Sequence, residues 1–358
     1  MFKPTILVTA ASGKTGTATA LQLLARGYPV RAMVHREDAR SERLRTAGAQ
    51  IIVGSLEDIE DLRASLSGAH RAYFCPPLLA GTLRRATLFA AAAQEARLEV
   101  IVALSQWVAD PLHPALHARE KWLSNHVLHT AGVDVVTVAP GWFADNYMAV
   151  LEAVAQFGLM AMPLGDGLNA PPSNEDIARV IVGALTDPGP HIGNSYRPTG
   201  PRLLTPDDIA ATFASVLGRR VSYKNVSLTT FLKAAAALRY PDYVITQLYW
   251  FLQDYQRNAF GRGAPTQAVL EVGGSPPEDF EQTVRRYVNH SAVTKRTITA
   301  KLRAAQHLMR AAATRAPEID NTSTITHATL AVDSPTWLQS HDPSDRHMAP
   351  DELSQAPN

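Results

Sequence analysis

Short apolar runs alternate with longer segments of helical periodicity over the first 141 residues of the chain. Runs of strand length occupy residues 5–9, 30–35, 50–53, 71–74, 100–104 and 134–139. Helical patterns lie between them, ending at residue 26 and then at residues 40–47, 59–66, 82–96 and 117–131. This alternation is typical of a parallel sheet that helices cover on both faces. It predicts an α/β fold with a doubly wound parallel sheet and ligands at the carboxyl ends of the strands.

A turn of small residues joins the first predicted strand to the first predicted helix. Gly13 and Gly16 stand in it, and Ala10 occupies the place of an earlier glycine. Small residues at a helix N-terminus let an anion lie against free backbone N–H groups at the positive end of the helix dipole. A pyrophosphate in a Rossmann-type site is the expected occupant, and a turn without a ligand is the alternative. Ala10 suits this turn if its φ angle is negative.

The sequence Gly13-Lys14-Thr15 also matches the end of a P-loop. A P-loop requires a glycine five residues before Gly13, and Val8 stands there, within the predicted strand. The spacing therefore favours the dinucleotide turn.

The end of the second predicted strand bears on the choice of dinucleotide. NAD sites usually place an acidic residue there, whereas a basic residue accommodates the 2′-phosphate of NADP. This chain has His35 and Arg36, followed by Glu37. A guanidinium binds phosphate in a planar, bidentate manner, so we expect NADP(H) to be favoured over NAD(H). Glu37 argues for NAD, and a solvated Arg36 is the further alternative.

Seven segments together resemble the NmrA-like branch of the atypical short-chain dehydrogenases, over residues 3 to about 290. They are the glycine turn and residues 30–36 (VRAMVHR), 53–58 (VGSLED), 74–77 (FCPP), 103–106 (ALSQ), 117–121 (HAREK) and 139–146 (APGWFADN). The resemblance implies a Rossmann domain that binds NAD(P), with a smaller C-terminal lobe that binds substrate.

The resemblance also implies cofactor-binding residues. For the pyrophosphate it implies Ala10, Ser12, Gly13, Lys14, Thr15 and Gly16. For the 2′-phosphate and the adenine it implies His35, Arg36, Ser55 and Leu56. For the rest of the cofactor it implies Cys75, Pro76, Pro77, Ser105, Lys121, Pro140, Gly141, Trp142 and Phe143. The chain departs from the family at His35 and Ala139, where arginine is frequent, and at Ser55, where aspartate is frequent.

Three residues occupy the catalytic positions that the resemblance implies. Short-chain dehydrogenases use a serine after the fifth strand, then a tyrosine and a lysine four residues apart on the next helix. This chain has Ser105, His117 and Lys121, so the tyrosine is absent. Histidine can transfer a proton near neutral pH and Lys121 can hold the nicotinamide ribose. The alternative for His117 is a polar residue without a catalytic role, since three other histidines lie nearby.

Composition limits the other classes of function. The chain has 358 residues, 46% of them hydrophobic, and a formal net charge of +1, which favours neither nucleic acid nor a membrane surface. Its histidines lack the spacing of a zinc site, and its single cysteine excludes an internal disulfide. We expect a cytoplasmic protein without metal, a monomer or a homodimer, whose partner is a small-molecule substrate.

Beyond residue 141 the pattern changes to apolar bulk mixed with Pro and Gly. We assign residues 1–141 to the NAD(P)-binding domain, 142–290 to the smaller lobe and 291–358 to a tail, with part of the lobe segment able to return to the sheet. Candidate pocket aromatics are Trp142, Phe143, Tyr249, Trp250 and Phe251. A basic helix with an apolar stripe is predicted over residues 295–315. Its possible partners are the acidic tail that follows it, a second subunit or none, and we expect it to be solvated. From Pro317 onward the chain lacks periodicity and is expected to be loosely attached and dispensable for the fold.

Two functional hypotheses follow. The first is an NAD(P)H-dependent reductase of a small carbonyl, quinone, enone or imine. The second is a catalytically silent NADP(H)-binding redox sensor that acts through a protein partner. Lys121 and the second lobe favour the enzyme, whereas Ala10, Ala139 and the missing tyrosine favour the sensor.

Overall fold

Seven parallel strands form the central sheet of the protein, which a computed structural model describes over residues 3–295, 297–319 and 327–341. The described strands are β1 (Ile6–Val8), β2 (Val30–Val34), β3 (Gln50–Val53), β4 (Arg71–Phe74), β5 (Val100–Leu104), β6 (Asp134–Val138), β7 (Leu159–Met162), β8 (Ser195–Tyr196) and β9 (Ser222–Asn225). The order in the central sheet is β3-β2-β1-β4-β5-β6-β8, and β7 pairs with β9 in a small second sheet.

Helices connect these strands, and several of those after β6 form, with the β7–β9 sheet, a separate apolar cluster that is called here the second lobe. They are α1 (Lys14–Ala25), α2 (Ala39–Thr46), α3 (Ile59–Leu66), α4 (Thr82–Glu95), α5 (Leu116–His129), α6 (Leu151–Phe157), α7 (Asn174–Thr186), α8 (Pro206–Leu217), α9 (Leu228–Ala237), α10 (Asp242–Gln256), α11 (Ala268–Gly273), α12 (Phe280–His290), α13 (Ile298–Ala313) and α14 (Pro335–Ser340). Among the helices so described, none combines the length and apolar character needed to cross a membrane.

Two apolar layers sandwich the central sheet. On one face, α1, α2, α7 and α11 pack against side chains such as Ile6 and Val8 of β1. On the other face, α3, α4 and α5 pack against side chains such as Leu7. The three residues of β1 are fully buried, since alternate positions point into opposite layers. The predicted α/β fold with a doubly wound parallel sheet is thus confirmed.

The strand order reverses direction at β1, which pairs with β2 on one side and β4 on the other. In open parallel sheets, the crevice outside the carboxyl ends of the strands at such a reversal is the usual ligand site. The chain returns to this region after residue 141. Helix α7 packs on α1, β8 pairs with β6, and the Thr15 hydroxyl donates to Asn174 Oδ1 at 2.8 Å.

The tail contains the predicted basic helix and differs from its expectation in one respect. The basic helix is α13, and its apolar stripe faces solvent, with Ile298 80% exposed, while Ala300 and Ala304 pack inward. Residues 327–341, called here the C-terminal segment, are not loosely attached. Trp337 is 1% exposed and belongs to the core of the second lobe. Single buried residues such as Trp337 fix this segment, so its sequence has no periodic apolar pattern. Residues 296, 320–326 and 342–358 of the predicted tail lie outside the described residues.

Candidate dinucleotide and reductase site

The turn after β1 has a left-handed residue at its start. Ala10 has a φ angle of +47°, so the condition under which alanine suits this turn, a negative φ angle, is not met. The turn requires this angle because Ala11 N–H donates to Met33 of β2 at 3.0 Å while Gly13 N–H folds back onto the Ala10 carbonyl at 2.8 Å. A side chain at positive φ costs about 1 kcal/mol or more. Position 10 therefore keeps the positive φ angle that suits glycine, although alanine occupies it.

Replacing Ala10 by Gly is expected to raise the free energy of unfolding by about 1 kcal/mol. Glycine adopts positive φ without strain, and this gain exceeds its added entropy in the unfolded chain. Thermal unfolding of the two proteins measures the difference. Ala11→Gly is the matched control, since Ala11 is buried and has no positive φ, and it should destabilise. Equal destabilisation by both substitutions would show that Ala10 is not strained.

The N-terminus of α1 is open toward the crevice. Gly13 occupies the cap position, and among the described residues no side chain caps this helix. Its first backbone N–H groups and the positive end of the helix dipole are therefore available to an anion. Ser12 is half-buried and Gly13 and Lys14 are exposed, while Thr15 and Gly16 are buried against the rest of the protein. This arrangement fits a pyrophosphate.

Lys14 turns toward the second lobe. Its ammonium lies 2.8 Å from Asp145 Oδ2 and 5.2 Å from the centre of the Tyr287 ring, and the Tyr287 hydroxyl donates to the same Asp145 carboxylate. Partial loss of solvent around this largely exposed side chain opposes its charge, but its hydrogen bonds with Asp145 and Tyr287 outweigh that effect and raise the pKa of Lys14. Asp145 and Tyr287 escaped the sequence analysis as site residues because they lie far from Lys14 along the chain.

His35 and Arg36 extend into solvent at the end of β2. Glu37, the residue that argued for NAD, lies 2.8 Å from Arg45 of α2. Asp38 caps α2 and pairs with Arg40. Both acidic side chains of this turn are therefore engaged by arginines, whereas no partner for Arg36 is found among the described residues.

Ser55 and Leu56 follow β3 and are half-buried. Ser55 N–H donates to Asp61 Oδ2 at 2.9 Å, and the Ser55 hydroxyl accepts from Glu57 N–H at 3.1 Å. Glu57 in turn binds the buried Arg85 of α4. Ser55, which stands where the family often has aspartate, thus stabilises the turn after β3 through its own hydrogen bonds. Leu56 packs against the apolar layer of α3 and α4.

The end of β4 lies beside the end of β1. Cys75 N–H donates to the Thr9 hydroxyl at 2.8 Å, which ties the two strand ends together. Burial raises the pKa of the Cys75 thiol, although nearby Lys121 opposes this. Pro76 is buried and Pro77 is exposed. The thiol is therefore protonated at neutral pH and is a poor nucleophile.

Lys121 and Ser105 lie together at the end of β5. Lys121 is 4% exposed, and its ammonium donates to the Leu104 carbonyl at 2.5 Å. Burial lowers the pKa of Lys121 to about 8. The Ser105 hydroxyl accepts from Asn125 Nδ2 at 2.9 Å. Asn125 lies four residues after Lys121 on α5, so the helical spacing that selects Lys121 also identifies Asn125, which the sequence analysis missed.

His117 lies one turn before Lys121 but faces α4. Its Nδ1 atom is 3.2 Å from the Thr82 hydroxyl, and its backbone N–H donates to Gln247 of α10 at 3.0 Å. Burial, together with the charges of Lys121 and Arg85, lowers the pKa of His117 well below its usual value. The imidazole is therefore neutral near pH 7, which makes it a weak general acid.

The segment after β6 and the candidate pocket aromatics are divided among several apolar clusters. The Pro140 carbonyl accepts from Trp107 N–H at 3.0 Å, and a Cβ atom added at Gly141 would lie 3.3 Å from the Phe260 ring and 3.6 Å from the Trp107 ring. Trp142 is buried beside Tyr255 and Phe260, whereas Phe143 packs against the α1 layer. On α10, Tyr249, Trp250 and Phe251 divide between two clusters. The structure does not bring the five predicted aromatics into one wall.

Comparison with known proteins identifies the family. A family model described as the NmrA-like family matches residues 2–262. The chain belongs to the NmrA-like family. The expected resemblance is thus confirmed.

Several relatives of this NmrA-like protein have named activities. An NAD(P)H azoreductase of Xenophilus azovorans is 29% identical over 66% of the chain and 82% of the relative. A (4-alkanoyl-5-oxo-2,5-dihydrofuran-3-yl)methyl phosphate reductase of Streptomyces griseus is 28% identical over 77% and 95%.

Solved structures share the fold of this NmrA-like protein. The NADPH complex of an Escherichia coli NADPH-dependent quinone oxidoreductase superposes with a TM-score of 0.69 at 23% identity, over 79% of the chain and 100% of that structure. The negative transcriptional regulator NmrA, in complex with NADP, superposes with a TM-score of 0.67 at 18% identity, over 82% and 100%. At these identities the likeness establishes the fold alone.

Proposed function

We propose that this protein is an NADPH-dependent reductase of a small carbonyl, quinone, enone or imine. The observation that carries the proposal is the placement of Lys121 and Ser105 at the end of β5, with the open N-terminus of α1 two strands away. A Rossmann enzyme needs an anion site and a ribose anchor at these strand ends. The named reductases among its relatives support the same class of reaction.

The residues present fit a dinucleotide. The turn from Ala10 to Gly16 and the uncapped α1 would hold the pyrophosphate, and Arg36 would hold the 2′-phosphate. Ser55 and Leu56 would flank the adenine, and Lys121 would donate to the nicotinamide ribose. When bound, a reduced nicotinamide supplies hydride to the acceptor.

The protein's own groups then act by position and charge. Below about pH 8 the Lys121 Nζ atom holds its proton and carries the only ammonium placed at the end of β5 in the described structure. Asn125 fixes the Ser105 hydroxyl, whose own proton remains available for an acceptor oxygen or nitrogen. We do not assign the proton to His117, because its imidazole is neutral and directed at Thr82.

Oxidation of NADPH, followed at 340 nm against a panel of acceptors, tests the proposal. The panel includes quinones, enones, imines, aldehydes and, from the relatives, an azo dye and a butenolide. Turnover with at least one class is expected, together with saturable binding of NADPH. If NADPH binds and no acceptor oxidises it, the reductase assignment fails.

Replacing Arg36 by Ala is expected to weaken NADPH binding by about 10- to 100-fold while changing NADH binding little. A charge-assisted contact to phosphate contributes roughly 1.5–3 kcal/mol, and only NADPH carries that phosphate. Fluorescence titration with both cofactors measures the difference. Arg43→Ala is the matched control, since Arg43 is an exposed arginine of α2. Equal affinity of the unmodified protein for NADPH and NADH would contradict the preference.

A redox sensor is the second candidate. The observation that favours it is the near-complete burial of all three candidate catalytic residues, Ser105, His117 and Lys121. A sensor needs different affinities for NADP⁺ and NADPH and no turnover. Titration with both forms, set beside the acceptor panel, distinguishes the two hypotheses.

A further inference from the structure

The loop between β5 and α5 connects the candidate catalytic positions. This β5–α5 loop, residues 105–115, begins with Ser105 and leads into α5, which carries His117 and Lys121. The C-terminal segment packs along it. Thr329 N–H donates to the Leu112 carbonyl at 3.0 Å, and Trp337 Nε1–H donates to the Trp107 carbonyl at 2.9 Å.

Two buried carboxyl groups join the C-terminal segment to this loop. Asp110, within the loop, accepts from Leu112 N–H at 2.8 Å through one oxygen and from the Ser334 hydroxyl at 2.6 Å through the other. Asp110 is almost fully buried. Without the C-terminal segment, one of its oxygens would lose the hydrogen bond that Ser334 supplies.

Asp254 of α10 repeats the arrangement. One of its oxygens accepts from Ala331 N–H at 3.0 Å, and the other contacts His113 Nε2 of the loop at 2.6 Å. Because His113 Nδ1 accepts from Ala115 N–H, the Nε2 atom carries the proton and donates it to Asp254. Each carboxyl group thus bonds the β5–α5 loop through one oxygen and the C-terminal segment through the other.

Leaving a buried acceptor without its donor costs more than the bond itself contributes. The loop conformation seen here therefore depends on the C-terminal segment. Trp107 extends this dependence toward the site, since its backbone N–H also binds the Pro140 carbonyl at the end of β6. The family match ends at residue 262, so the C-terminal segment is an addition to the part that the family shares.

We propose that the C-terminal segment is a positioning element of the active site, which holds the β5–α5 loop, and through it Ser105, in the arrangement that turnover requires. Ser334 and Trp337 are its positioning residues. The structural part of this proposal stands on the contacts alone, and the kinetic part rests on the proposed reductase function.

Hydrogen exchange of the whole protein, without cofactor or substrate, tests the structural part. Ser334→Ala removes the donor to Asp110, so amide exchange in residues 105–115 should accelerate about tenfold while the central sheet keeps its protection. Thr336→Ala is the matched control, since Thr336 is exposed on the same segment, and it should change nothing. Unchanged exchange of the loop in Ser334→Ala would overturn the proposal.

A chain ended after residue 326 provides the second variant. A synthetic peptide of residues 327–341 should restore loop protection to it, because the contacts are noncovalent. If the shortened chain does not fold, Ser334→Ala alone decides. Loop protection that is already full in the shortened chain would overturn the proposal.

Steady-state kinetics test the second part once an acceptor is known. Ser334→Ala should lower kcat about three- to tenfold and leave the Kd of NADPH unchanged, because the anion site lies at α1. A rise in kcat would overturn the positioning role, since it would mean that the segment blocks the site. Absence of any turnover would refute the reductase function while leaving the exchange result to decide the segment's role.

Discussion

Replacing Lys121 by Met is expected to lower NADPH-dependent turnover on the order of a hundredfold and to stabilise the cofactor-free protein by about 2 kcal/mol. The loss of turnover follows because Met cannot donate to a ribose or place positive charge at the end of β5. The gain in stability follows because the ammonium of Lys121 is buried without a carboxylate that any described contact supplies. Activity and stability therefore change in opposite directions.

The stability term has a defined pH dependence. Burial lowers the pKa of Lys121 from 10.5 to about 8, so below pH 8 the folded protein holds a charge that the unfolded chain holds more easily. Holding that charge in the folded protein costs about 3 kcal/mol of stability. The Met variant avoids this cost but loses the hydrogen bond to the Leu104 carbonyl, which offsets about 1 kcal/mol of its gain in stability. Between pH 8 and 10.5 the unmodified protein releases its proton on folding and regains stability. The advantage of the Met variant should shrink across that range.

Urea unfolding at pH 7 and at pH 10 measures the difference in stability and its pH dependence, and NADPH oxidation measures turnover. Lys224→Met is the matched control, since Lys224 is exposed on β9. It should change neither turnover nor the pH dependence of stability. A Met variant that is less stable than the unmodified protein at pH 7 would mean that the Lys121 ammonium is stabilised where it lies. A variant with full turnover would remove Lys121 from the mechanism.

The central fold could be predicted because its signal is local. Strands such as β5 are buried on both faces and read as unbroken apolar runs, and α3 matches the predicted residues 59–66 without adjustment. The end of β5 could likewise be located, since Ser105 and Lys121 follow from the order of motifs. Asn125 was available from the same helical spacing.

The remaining site features depend on contacts between distant parts of the chain. Lys14 binds Asp145, and Asp110 binds Ser334. Neither Asp145 nor Ser334 belongs to a periodic pattern from which the contact could be predicted. The C-terminal segment is fixed by Trp337 and a few hydrogen bonds rather than by an amphipathic face. Its isolated anchors are indistinguishable in the sequence from those of a solvated tail.

The stripe of α13 shows how far periodicity goes. Ile298, Leu302 and Met309 satisfy helical periodicity and identify the helix, and all three are exposed, while the small Ala300 and Ala304 pack inward. A helix that approaches a neighbour closely buries small side chains. Periodicity therefore identified the helix but not the face that it buries.

Replacing Gly16 by Ala is expected to lower the free energy of unfolding by about 3 kcal/mol and to weaken NADPH binding on the order of a hundredfold. A Cβ atom at Gly16 would lie 2.3 Å from the Ala10 carbonyl oxygen and 3.0 Å from the Ala11 Cα atom. Both are backbone atoms of the turn, so no side chain can rotate away. Helix α1 must shift away from β1, and its N–H groups then move away from the position proposed for the pyrophosphate.

Two opposing effects decide the sign of this prediction. Alanine within a helix is favoured over glycine by roughly 1 kcal/mol, so the substitution would stabilise α1 in isolation. The contact with the Ala10 carbonyl outweighs this, because that carbonyl also accepts from Gly13 N–H and cannot move without opening the turn. Gly189→Ala is the matched control, since no atom lies within 4 Å of its added Cβ. If Gly16→Ala keeps both its stability and its NADPH affinity, the turn is less rigid than its hydrogen bonds imply. That result would also contradict the backbone strain assigned to Ala10.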